Sequence, residues 1–92
     1  MNRLAAATLI LFQLASPVLA SERTTIFAVQ NMTCALCPFT VEKAMRGVDG
    51  VKDVTINFQA KTATVVFEDS QTNAGAIANA SLNAGYPASA TN

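Results

Sequence analysis

Cys34 and Cys37 are the two cysteines of this chain, set three positions apart in Met32-Thr33-Cys34-Ala35-Leu36-Cys37-Pro38. Two intervening residues let both sulfurs reach one point without backbone strain. A thiolate pair of this kind can hold a metal, attack a disulfide, or close into a disulfide itself. The chain contains no histidine. That removes histidine acid–base catalysis, Cys-His nucleophile pairs and every His-containing zinc or copper site. No carboxylate-rich cluster takes their place, so any chemistry runs through the two sulfurs, and a non-enzymatic role is expected.

Two soft sulfurs without a nitrogen or carboxylate partner select soft ions of low coordination number. Hg(II) and Cu(I) both accept two nearly linear thiolates, whereas Zn(II) asks for about four ligands. The ligand chemistry does not choose between Hg(II) and Cu(I). A two-ligand site also suits hand-over, because a third thiolate can attack the metal before a first one leaves. Cys34 and Cys37 are therefore the expected metal ligands.

Three other readings compete. A structural disulfide suits an oxidising compartment, but closing so short a loop removes little chain entropy. A small thiol–disulfide oxidoreductase can carry C-x-x-C beside a βαβ pattern. Against it, Ala35-Leu36 separate the cysteines, no Trp precedes them, and the chain is short. A chance pair is the third, and the helix start that follows the motif argues against it.

The elements that must position the sulfurs follow from the pattern. Residues 24–30 read as a strand with Thr25, Phe27 and Val29 on one face, and residues 31–36 as a loop. A helix then starts, with Pro38 suited to a first-turn position where its missing N–H costs nothing. Val41, Ala44, Met45 and Val48 form an apolar stripe at i, i+3, i+4 and i+7; Gly47 and Asp49-Gly50 end the helix. Cys37 falls in its first turn, leaning toward the core, and Cys34 in the loop is the more exposed. Unpaired N–H groups and the positive dipole end at a helix start favour thiolate. A thiol value of about 8.5 can fall below neutral there, so metal uptake should release protons.

Residues 51–58 and 62–68 read as a hairpin around Gln59-Ala60-Lys61, with Val54, Ile56 and Phe58 alternating on one strand and Ala63, Val65 and Phe67 on the other. Residues 69–72 form a polar loop and candidate helix cap. Residues 73–84 form a second helix with Ile77, Ala80, Ser81 and Ala84 as its stripe. Gly85 ends it, and residues 86–90 make a short edge strand, where Pro87 is tolerated. The order β-α-β-β-α-β predicts an α+β, ferredoxin-like sandwich: a four-stranded antiparallel sheet with two helices on one face.

Residues 1–20 read as a cleaved signal peptide, which predicts a periplasmic protein. Arg3 provides the positive start, residues 4–14 the apolar run, broken by Thr8 and Gln13, and Val18-Leu19-Ala20 the cleavage region. An uncleaved membrane anchor is the competing reading; the apolar run is shorter than the roughly 20 residues a spanning helix needs. Residues 21–92 then form one small domain with one modest core. The chain has six basic and six acidic side chains, and losing Arg3 with the leader leaves a formal charge of −1. Such a surface has no electrostatic footprint for nucleic acid, and no basic cluster points to a membrane surface.

Met32-Thr33-Cys34-x-x-Cys37 before an amphipathic helix resembles the heavy-metal-associated domain family, in particular its periplasmic mercuric-ion-binding branch. Cys34-Ala35-Leu36-Cys37-Pro38-Phe39-Thr40-Val41, Val48-Asp49-Gly50-Val51 and Ala84-Gly85-Tyr86-Pro87 extend the likeness over most of the segment after the leader. The resemblance implies the ferredoxin-like fold, Cys34 and Cys37 as ligands, Hg(II) as cargo with Cu(I) as the alternative, and delivery to an inner-membrane mercury transporter by a monomer. Two departures stand out. Asn31 occupies a position where the family usually has Gly, and Asn tolerates left-handed backbone better than most residues. Leu36 is bulkier than the common Ala and narrows access to the sulfurs.

Six further residues have roles to weigh. Met32 is expected to bury itself under the loop and anchor it rather than ligate. Tyr86 is expected near the loop, shielding the sulfurs or packing in the core. Phe39 is read as a partner contact or a lid. Lys52 and Lys61 read as solvated hairpin charges, and Thr33 as a loop cap or as neutral.

Overall fold

The computed structural model describes residues 21–91; the leader expected over residues 1–20 lies outside the described residues. The elements are β1 (Glu22–Val29), α1 (Cys37–Arg46), β2 (Val51–Asn57), β3 (Thr62–Glu68), α2 (Ala74–Asn83) and β4 (Ala88–Ala90). They build one antiparallel sheet in the order β2-β3-β1-β4. This is the expected ferredoxin-like βαββαβ arrangement.

Period-two alternation decides which face of the sheet is buried. Phe27 and Val29 of β1, Val54 of β2, and Ala63, Val65 and Phe67 of β3 all turn inward. Against them pack Val41 and Met45 of α1 and Ile77 of α2. Phe27, Val41, Met45, Ala63, Val65 and Ile77 have no solvent exposure at all. Among the described residues no helix is long and apolar enough to cross a membrane.

The structure corrects several boundaries. β2 stops at Asn57 rather than Phe58, because the Asn57 side chain accepts the Ala60 amide at 2.9 Å and turns the chain. Lys61 completes the turn with φ 58°, and its Nζ lies 3.9 Å from the Phe58 ring centroid. Phe58 thus leaves the inward stripe. The cap of α2 is Asn73, whose side chain accepts the Ala76 amide at 2.8 Å, and not a residue of 69–72. Ala84 is the exposed C-cap and takes no part in the stripe. β4 has three residues rather than five, because the Tyr86 backbone is held by Ser81 instead of by the sheet.

The two hairpin lysines also differ from expectation. Lys61 stacks on Phe58, as above. Lys52 bridges two strands: its Nζ is 3.0 Å from Glu68 Oε2 and 3.5 Å from Glu22 Oε2. Glu22 and Glu68 are direct cross-strand partners, a like-charge pairing that is destabilising on its own, so Lys52 offsets a specific repulsion.

Candidate metal centre

The two cysteines sit where β1 hands over to α1. Cys37 is the first residue of α1 and is buried, with only 4% of its surface exposed. Cys34 lies in the preceding loop and is exposed. The Cys34 carbonyl accepts the Cys37 amide at 3.1 Å, closing a turn that brings the Cα atoms to 5.2 Å and joins the two sulfurs in a disulfide. The structure is therefore the oxidised state of the pair. The expected burial contrast holds, and the spacing does bring both sulfurs to one point.

The start of α1 has no side-chain cap. Leu36 occupies the cap position, and its side chain has no atom that could accept from the helix amides. The Leu36 carbonyl takes the Phe39 and Thr40 amides at 3.1 and 3.3 Å, and Pro38 has no amide to satisfy. The Cys34 amide donates to Cys37 Sγ at 3.2 Å. A sulfur that receives an N–H at a helix N-terminus is in surroundings that favour negative charge once the disulfide is reduced. Among the described residues no group of three or more Cys, His, Asp or Glu could hold a metal. The two sulfurs are the soft donors that this loop brings together.

Met32 has 1% exposure and belongs to the core cluster. It pins the loop from below, as expected, and its thioether is buried with the core side chains. Asn31 adopts φ 68°, the left-handed conformation foreseen for it. The sequence reading missed its second role: Asn31 Nδ2 donates to the Gly85 carbonyl at 3.2 Å. It also missed Ser81, read only as one member of an apolar stripe. Ser81 is fully buried, and its Oγ donates to the Tyr86 carbonyl at 2.6 Å. Its polar side chain on an otherwise apolar helix face was the available signal. Tyr86 is half-buried and packs against the core. Leu36 and Phe39, neighbours of the cysteines in sequence, are 70% and 67% exposed. The Thr33 amide donates to the Asn31 carbonyl at 2.9 Å.

Comparison with known proteins places this geometry. The heavy-metal-associated domain model matches residues 26–87. A mercuric transport protein periplasmic component from Pseudomonas fluorescens is 40% identical over 86 residues, covering 94% of this chain and 94% of the relative. The crystal structure of oxidized MerP from Ralstonia metallidurans CH34 superposes with a TM-score of 0.77 at 38% identity, covering 78% of this chain and all of that one. A copper binding domain from HMA7, a P-type ATPase, superposes with a TM-score of 0.74 at 30% identity, covering 76% of this chain and 95% of that one.

Proposed function

The chain belongs to the heavy-metal-associated domain family, and from that premise we propose that it is a periplasmic carrier of Hg(II). Residues 1–20 serve as the cleaved leader and residues 21–92 as the working domain. Cys34 and Cys37 hold one Hg(II) as two thiolates, and the protein passes the ion to an inner-membrane mercury transporter. It acts as a monomer and catalyses no reaction.

One observation carries the reading: a buried and an exposed sulfur converge at the uncapped start of a helix, flanked by exposed Leu36 and Phe39. The carrier needs the dithiol, so a dithiol reductant must first supply two electrons and two protons to the Cys34–Cys37 disulfide. Hg(II) then displaces the thiol protons and binds both sulfurs. An incoming thiolate attacks the metal from its exposed side, where Cys34 lies. As that third thiolate binds the metal, Cys34 leaves as a thiolate, and a second incoming thiolate then displaces Cys37.

A Cu(I) carrier is the second reading, favoured by the likeness to the copper binding domain. The mercuric relative is more similar and covers more of the chain, which supports Hg(II). The test is a titration of anaerobically reduced protein with Hg(II) and Cu(I) in competition. We expect one Hg(II) per chain, bound in preference to Cu(I), severe weakening in Cys34→Ser and Cys37→Ser, and loss of mercury tolerance on gene deletion. Full affinity in either serine variant overturns the two-sulfur site. Preference for Cu(I), with loss of copper tolerance instead, replaces the mercury reading. Rapid turnover of a disulfide substrate would make the protein an oxidoreductase.

A further inference from the structure

We infer that Asn31 is a positioning residue for the two-cysteine loop, tethering it through one side-chain hydrogen bond to the turn between α2 and β4. Its consequence for metal exchange rests on the carrier reading; its effect on the loop does not.

The position requires a left-handed backbone, with φ 68° at Asn31. Glycine meets that requirement most easily. Asparagine meets it at some cost, and it adds a donor that glycine lacks. Asn31 Nδ2 donates to the Gly85 carbonyl at 3.2 Å. The preceding Gln30 amide donates to the Pro87 carbonyl at 2.8 Å. Two consecutive residues just past β1 thus grip both ends of Gly85-Tyr86-Pro87.

That turn is a firm anchor. The Tyr86 amide donates to the Ser81 carbonyl at 2.9 Å, and Ser81 Oγ donates back to the Tyr86 carbonyl at 2.6 Å. Ser81 is fully buried on α2. On the other side the Asn31 carbonyl accepts the Thr33 amide at 2.9 Å, and buried Met32 lies between them. The position of Asn31 is therefore passed through two residues of constrained backbone to Cys34. The opposite sulfur is held by α1. Once the disulfide is reduced, two hydrogen bonds between Cys34 and Cys37 remain, and Asn31 adds the restraint on Cys34 that comes from outside the pair.

The Asn31 side chain is exposed, so its bond competes with water and can open without disturbing the core. In the reduced protein, opening loosens Cys34 while Cys37 stays fixed in α1. The tether thereby restrains the sulfur that an incoming thiolate must displace.

The test compares Asn31→Asp and Asn31→Gly with the parent protein. Aspartate keeps the shape but its carboxylate cannot donate; glycine keeps the backbone conformation and has no side chain. Three quantities are read: Cys34 alkylation rate in the reduced metal-free protein, amide exchange at Thr33 and Cys34, and Hg(II) transfer to a small dithiol. Loss of one hydrogen bond of ordinary net strength corresponds to about a fivefold change. Both variants should speed alkylation, loop exchange and Hg(II) transfer by about that factor, with amide exchange in β3 unchanged. Parent-like alkylation and loop exchange in both variants would overturn the inference, as would a change in aspartate alone, which would be a charge effect. Equal acceleration of exchange throughout β3 and the loop would make Asn31 merely structural and also overturn it. If the parent protein takes up no Hg(II), the carrier reading fails, while alkylation and loop exchange still decide the role of Asn31.

Discussion

The Cys34 amide donates to Cys37 Sγ at 3.2 Å, so the exposed residue of the pair supplies a donor to the buried one. The two sulfurs are chemically unequal even though their spacing is symmetric. Cys37 is shielded by α1 and the core, and Cys34 faces solvent. In reduced protein, Cys37→Ser should leave a thiol that alkylates quickly, and Cys34→Ser one that alkylates several-fold more slowly. Timed alkylation followed by mass spectrometry checks this; equal rates would contradict the burial contrast.

Met32 couples the loop to the core. Met32→Ala removes a side chain with 1% exposure and should cost about 2–5 kcal/mol of stability. Met32→Leu conserves volume and should cost less than about 1.5 kcal/mol. Urea unfolding of reduced protein measures both. A methionine acting as a ligand would instead show its effect mainly in metal affinity, in both variants alike.

Two turn glycines should respond differently to alanine. Gly50 and Gly85 have φ of 99° and 102°, so both substitutions strain the backbone by about 1–2 kcal/mol. A Cβ at Gly85 meets nothing within 4 Å, whereas one at Gly50 would stand 2.7 Å from Gln71 Cβ and 3.1 Å from Thr72 Cγ2. Gly50→Ala should therefore be the more destabilising of the two, by about 1–3 kcal/mol for the forced repacking. Thermal or urea unfolding of the pair gives the ranking.

Lys52 gives the fold an alkaline limit. The Glu68 carboxylate first, and Glu22 second, hold the Lys52 ammonium above its ordinary 10.5. A raised lysine contributes its full stabilisation below its unfolded value and loses it as pH rises through the folded one. The parent protein should lose stability as pH rises past the ordinary lysine value of 10.5, and Lys52→Met should lose less over that rise while starting lower. High salt should shrink the difference, since the lysine is exposed and its pairs are screened. Urea unfolding across that range is the measurement.

Leu36 and Phe39 test the proposed delivery step apart from binding. Both are largely exposed, so Leu36→Ser and Phe39→Ser should change stability by no more than about 0.5 kcal/mol. Equilibrium Hg(II) affinity should also stay near the parent value. Transfer to transporter-containing membrane vesicles should slow if these side chains meet the partner. Unchanged transfer in the double variant would remove them from the delivery surface.

The fold was legible because its signals are local and repeated. Val41 and Met45 recur at helical spacing, and Ala63, Val65 and Phe67 at strand spacing, and each set is buried as that spacing requires. Errors fell where a side chain competed with the backbone pattern. Asn57 turned the chain one residue before the apolar alternation ended, and Ser81 drew Tyr86 away from the sheet. Periodicity counts apolar positions and is blind to a single polar atom that captures a backbone amide or carbonyl.

By itself, the order of residues determined that two sulfurs would meet at the start of a helix, because two residues of spacing and a following apolar stripe are enough to place them. Tertiary structure alone decided which distant groups restrain that meeting. Asn31 and Gly85 are 54 positions apart, and Lys52 faces Glu22 and Glu68 across strands. Such partners are chosen by strand order and register, which pack the whole chain at once and leave no mark in the spacing of neighbouring residues.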